Sequence, residues 1–129
     1  MKEIVLGTLR DSVLGERLSE EDLDFLAGLG RRAEYAADTF IFEAGQPRAR
    51  VGVIRGGRVE IRQSSANRPK VLRVLGSGEV LGEGALLDAD PHSTSAYVVE
   101  AAEIIELSRE EIDRIAAERP ELHARLAIA

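Results

Sequence analysis

Between Arg32 and Ser108, apolar and polar residues alternate in short runs separated by glycine, proline and Asn/Asp turn residues. No other feature restricts the fold as strongly. A run alternating with period two turns one face to a core and the other to water, which describes a half-buried strand. Val59 and Ile61 against Arg58, Glu60 and Arg62 show it most clearly. Eight segments are candidate strands, several of them alternating in this way: Ala33–Tyr35, Thr39–Phe42, Val51–Arg55, Arg58–Gln63, Lys70–Leu75, Glu79–Leu81, Ser95–Val99 and Ile104–Leu107. The turn signals between them are Gly45-Gln46-Pro47, Gly56-Gly57, Asn67-Arg68-Pro69, Gly76-Ser77-Gly78 and Asp88-Ala89-Asp90-Pro91. Short strands at near-regular spacing predict a mainly β fold: a sandwich, a jelly roll or a barrel.

Helical periodicity flanks the strands. Leu23, Leu26, Ala27 and Leu29 follow Ser19-Glu20-Glu21-Asp22. That is a capping-box pattern, in which Ser19 accepts from the Asp22 amide and the Asp22 carboxylate reaches back. A shorter helix precedes it, around Ile4 to Leu14. Beyond the strands, Ser108 and Glu111 repeat the capping pattern ahead of Ile112, Ile115 and Ala116. Pro120 ends that helix or opens the next, which carries Leu122, Leu126 and Ile128. The 129 residues thus read as one domain, 1–129, with a helical lead-in over 1–30, a β unit over 32–108 and helices over 109–128.

Composition removes several function classes. There is no cysteine, so disulfides, thiolate metal sites, iron–sulfur clusters and a cysteine nucleophile are excluded. The N-terminus lacks the apolar run of a signal peptide, and no stretch approaches the ~18 apolar residues of a membrane span. A cytoplasmic protein without membrane contact is expected. The net charge is −6, with arginines scattered among acids, so no basic face for nucleic acid is expected from this chain alone. Too few residues follow Ser108 for a helix-turn-helix module. The two histidines, His92 and His123, lie in unlike segments, and neither a Ser-His-Asp arrangement nor a GxxxxGK[ST] loop is present. No catalytic residue, no metal site and no cofactor are expected.

The run that carries chemistry is Leu75 to Leu87, with Pro91-His92-Ser93-Thr94-Ser95-Ala96 after it. It reads as a strand, a glycine turn and one turn of helix. Gly82 permits a positive φ or a close backbone approach. The first amides of the helix, at Gly84, Ala85 and Leu86, would lack internal partners and could face an anion. Glu83 beside them repels a bare phosphate but suits a ligand that also offers a hydroxyl, such as a ribose. Turn geometry alone is sufficient for Gly76, Gly78 and Gly82. Glu83 also reads as a solvated turn carboxylate, His92 as an exposed loop histidine, and Ser93 as a plain polar residue.

From Leu18 to Leu126 the chain resembles the cyclic-nucleotide-binding domain family of catabolite-activator-type regulators, cyclic-nucleotide-dependent kinases and gated channels. Leu18–Leu23 is similar to the family's first helix, Ile41–Pro47 to its early strand and turn, and Val53–Ile61 to its hairpin with a glycine turn. Gly76, Gly78, Gly82, Glu83, Ala85, Leu86 and Leu87 are similar to its phosphate-binding cassette. The resemblance implies an eight-stranded jelly-roll-like β-roll with terminal helices, akin to the double-stranded β-helix of cupins. It also implies a non-catalytic regulatory domain that senses cAMP or cGMP. Gly82, Glu83, Gly84, Ala85, His92 and Ser93 would then be the ligand-binding residues. Glu83 would accept from the ribose hydroxyl, and the amides of Gly84 and Ala85 would hold the cyclic phosphate. The family places an arginine after the cassette proline; here that position is His92, and Gly84 replaces a larger apolar residue. An arginine fork meets two phosphate oxygens with permanent charge, whereas histidine is shorter and mostly neutral near pH 7. The alternative is a degenerate roll that acts in protein interaction or assembly without nucleotide. Either reading allows a homo-oligomer or a fused effector domain as partner.

Overall fold

The computed structural model describes residues 2–63 and 68–127. Asn67 of the expected turn and Ile128 of the expected last helix lie outside the described residues.

Among the described residues, six antiparallel strands make one sheet: β1 (Arg31–Tyr35), β2 (Phe40–Phe42), β3 (Arg50–Gln63), β4 (Lys70–Leu75), β5 (Val80–Leu81) and β6 (Ser95–Ser108). Their order is β1-β6-β3-β4, with β2 added to β6 and β5 added to β3. The fold is therefore the mainly β roll with flanking helices that the sequence predicts, but with six strands in place of eight. Four of the expected strands fuse in pairs. Val51–Arg55 and Arg58–Gln63 are two halves of β3, and Ser95–Val99 and Ile104–Leu107 are two halves of β6.

Gly56-Gly57 is accordingly not a hairpin turn. It is a corner within β3, where the register against β6 shifts between Ile54 and Val59. Gly57 has φ +97°, and a Cβ there would stand 2.4 Å from the Ala101 carbonyl oxygen. A bulge and a two-residue turn both ask for glycine at positive φ, so the residue pair alone does not separate them.

The strands serve two cores. Ile54, Val59, Leu75, Leu81, Val98, Ala102 and Ile104 fill the inside of the roll. Val51, Val53 and Ile105 point to the other face, where the helices cover them. Neighbouring residues such as Val53 and Ile54, or Ile104 and Ile105, are thus all buried on opposite faces. Among the described residues, four helices form that outer layer: α1 (Lys2–Asp11), α2 (Glu20–Leu29), α3 (Arg109–Glu118) and α4 (Pro120–Ala127). A 3-10 turn, η1 (Val13–Glu16), links α1 to α2.

Both expected capping boxes are formed, Ser19 with Asp22 and Ser108 with Glu111, and Pro120 opens α4. Asp22 does more than cap. Its carboxylate accepts from Arg119 at 3.0 Å and from Arg125 at 2.8 Å, which ties α2 to the C-terminal helices. Among the described residues no helix is long and apolar enough to cross a membrane.

Candidate functional site

β5 leads through Gly82 into a second 3-10 turn, η2 (Glu83–Leu86). Gly82 adopts the left-handed conformation, φ 77° and ψ 20°. A Cβ there would lie 2.6 Å from the Arg50 carbonyl oxygen, so both backbone angle and space require glycine. Ala85 and Leu86 turn inward and join the helical core with Leu122 and Leu126, which anchors the turn.

Gly82, Glu83, Gly84, His92 and Ser93 border one cavity, together with Phe42, Arg48 and Arg73. Ala85 is not among them. Its side chain is fully buried, and its amide donates to the Gly82 carbonyl at 3.0 Å. This corrects the expectation of an open amide at Ala85. An α-helix leaves its first amides free, but a 3-10 turn closes its ring one residue sooner and uses the third.

His92 is also not the exposed loop residue that its sequence context allows. It is 9 % exposed. Its ring lies flat on Phe42, with centroids 3.6 Å apart and planes 7° apart. Its backbone is held on both sides, the amide donating to the Gln46 carbonyl at 2.8 Å and the carbonyl accepting from the Gly45 amide at 2.9 Å. Burial, then the neighbouring Arg48 and Arg50, push the imidazole pKa below its ordinary value of 6.5. A neutral ring is the result at neutral pH. Ser93 and Glu83 are exposed at the cavity edge. Among the described residues, the Glu83 carboxylate holds no hydrogen bond or ion pair.

Two arginines of the cavity escape sequence reasoning, Arg48 and Arg73. Arg48 follows Pro47 and reads as one of several solvated arginines. In the fold its Nη1 donates to Asp88 Oδ1 at 2.8 Å. The Asp90 amide and the Arg48 side chain together draw the Asp88 carboxyl below its usual range. From α3, Arg109 Nη2 donates to the carbonyls of both Arg48 and Asp88, at 2.9 and 2.7 Å, and so joins the two loops that flank the cavity. Among the described residues no group of three or more His, Cys, Asp or Glu side chains is placed to hold a metal.

The roll, the left-handed glycine and the single-turn helix beside a carboxylate agree with one family model, that of the cyclic nucleotide-binding domain, which matches residues 32–119. The chain belongs to the cyclic nucleotide-binding domain family. The cyclic AMP receptor protein of Thermus thermophilus is 31% identical over 104 residues, covering 80% of this chain and 48% of that protein. Among solved structures, the Thermus thermophilus catabolite activator protein superposes with a TM-score of 0.75 at 29% identity, over 85% of this chain and 52% of that one. The regulatory domain of Toxoplasma gondii PKA with cAMP superposes with a TM-score of 0.78 at 26% identity, over 88% of this chain and 44% of that one. The chain spans less than half the length of the curated relatives it matches.

Proposed function

We propose that this member of the cyclic nucleotide-binding domain family is a non-catalytic regulatory module that senses cAMP or cGMP in the cavity between η2 and the His92–Ser93 loop. The observation that carries this reading is the Glu83 carboxylate, unpaired among the described residues, on the rim of a cavity that also presents guanidinium groups. A ribose hydroxyl donates to a carboxylate, and a cyclic phosphate carries the negative charge that a guanidinium meets. Gly82 sets the direction in which Glu83 leaves the strand. The likeness to a cAMP-bound kinase regulatory domain supports the same placement.

Calorimetric titration and thermal unfolding with cAMP and with cGMP test this. A ligand that binds only the folded state raises the melting temperature by mass action. A rise with one or both nucleotides is expected, and Glu83→Gln is expected to lower affinity by about ten-fold or more, the equivalent of one charged hydrogen bond. No thermal shift and no heat with either nucleotide at millimolar concentration would overturn the reading.

A second reading, an interaction or assembly roll that works without nucleotide, is favoured by one observation. His92 is packed on Phe42 and the Ala85 amide is bonded internally, so neither is poised for phosphate. Light scattering that shows self-association, with no response to nucleotide, would establish it in place of the first.

A further inference from the structure

The cavity carries its own arginine, and it comes from a different loop than the cassette. Arg48 lies across Gly84. A Cβ built on Gly84 would stand 2.8 Å from Arg48 Nε and 2.9 Å from Cζ. The guanidinium therefore occupies the space that a side chain at position 84 would fill. Its side chain is only 24% exposed, and Asp88 holds it from one side. A guanidinium has five N–H donors, and Asp88 takes Nη1 alone, which leaves the Nε edge beside Gly84.

From this we propose that Arg48 is the phosphate-binding residue of this cavity, supplying from the Pro47–Arg50 segment the cation that is missing at His92. The inference rests on the nucleotide-sensing reading above. Three features at separate points in the chain fit together under it. Position 92 holds a neutral ring that stacks on Phe42 and leaves no cation there. Position 84 is glycine, so that an arginine can lie over η2. Position 88 is an aspartate that orients that arginine, with Arg109 bracing the backbones of both loops. Arg73 is the competing cation. It stands on the exposed strand β4 opposite Ile61, without a partner to orient it among the described residues. An oriented fork loses less freedom on binding than a free one, which favours Arg48.

The test is calorimetric titration of wild type, R48Q, R48K and R73Q with cAMP and with adenosine, which lacks the phosphate. R48Q is expected to lose about ten- to a hundred-fold in cAMP affinity, the range of one charged hydrogen bond, and to keep its adenosine affinity. R48K keeps the charge without the fork and is expected to fall between wild type and R48Q. Unchanged cAMP binding by R48Q, equal losses for both ligands, or a loss confined to R73Q would each overturn the assignment while the sensing reading stands. Should R48Q not fold, R48K binding cAMP as wild type does would overturn it. Wild type that binds neither cAMP nor cGMP would instead remove the sensing reading itself.

Discussion

The His92 imidazole packs against Phe42 and stays neutral because burial and two nearby arginines disfavour its charged form. Its folded pKa lies below the unfolded value of about 6.5, so near and below that pH the unfolded chain binds more protons than the folded one. The stability this site contributes is present above pH ~6.5 and is lost as the pH falls through the folded value. Urea midpoints should therefore decline between about pH 7.5 and 5.5, and His92→Gln should flatten that decline. Two glycines make a second contrast at this scale. Gly57 and Gly45 both have positive φ, 97° and 94°, but only Gly57 is crowded, by the Ala101 and Ala102 backbone. Gly57→Ala should cost about 2–4 kcal/mol, from left-handed strain plus overpacking, and Gly45→Ala about 1–2 kcal/mol from strain alone. Chemical denaturation of the two variants side by side checks this.

At the scale of elements, a buried carboxylate on α2 pairs with two arginines of the C-terminal helices. Asp22 is 6% exposed at its side chain, while its partners Arg119 and Arg125 are 26% and 40% exposed. Burial alone would raise its pKa, but hydrogen bonds from Arg125 and from the backbone and side chain of Ser19 outweigh it, and the carboxyl lies below its usual range. Asp22→Ala removes the cap and leaves two cations facing each other, although water reaches both. A loss of about 3 kcal/mol is expected, the low end for breaking a buried pair. The exposed Arg114–Glu118 pair on α3, by comparison, should contribute at most ~0.5 kcal/mol. Because Asp22 is depressed, its contribution is present above about pH 4 and is lost as the pH falls through the folded value. Acid unfolding of Asp22→Ala should accordingly be less steep than that of wild type.

Over the whole molecule, the candidate site and the helical layer share a core. Ala85 and Leu86 of η2 pack with Leu122 and Leu126 of α4, together with Ile112 and Ile115 of α3. Whatever bends η2 must disturb those helices, and the converse holds. Leu86→Ala should destabilise by about 2–5 kcal/mol, as do large-to-small changes in tight cores. Leu122→Ala, which lies outside the cavity, should lower both stability and cAMP affinity if η2 loses its support. Hydrogen exchange supplies the complementary measurement: bound nucleotide should slow exchange in α3 and α4 as well as in η2.

What is legible in the sequence is what local bonding decides. The Ser19–Asp22 and Ser108–Glu111 boxes close within four residues, so both read correctly. Short β-type runs between turn residues located the strands, and alternation was clearest where one face meets water, as around Val59 and Ile61. Strand count was less legible, because the Gly56-Gly57 pair is compatible with a turn or a corner and only its approach to Ala101 makes it a corner. The strand, glycine turn and short helix around Gly82 were legible for the same local reason, and the misjudged Ala85 amide turned on a 3-10 ring in place of an α ring. His92 on Phe42 and Arg48 over Gly84 are different in kind. Each joins residues far apart in the chain, through contacts that no spacing encodes. The sequence by itself determined the roll, its caps and the carboxylate at its candidate site. Which cations share its cavity was decided only by the tertiary structure, because charge acts through space and the loops carrying Arg48 and Gly84 meet only once the roll has closed.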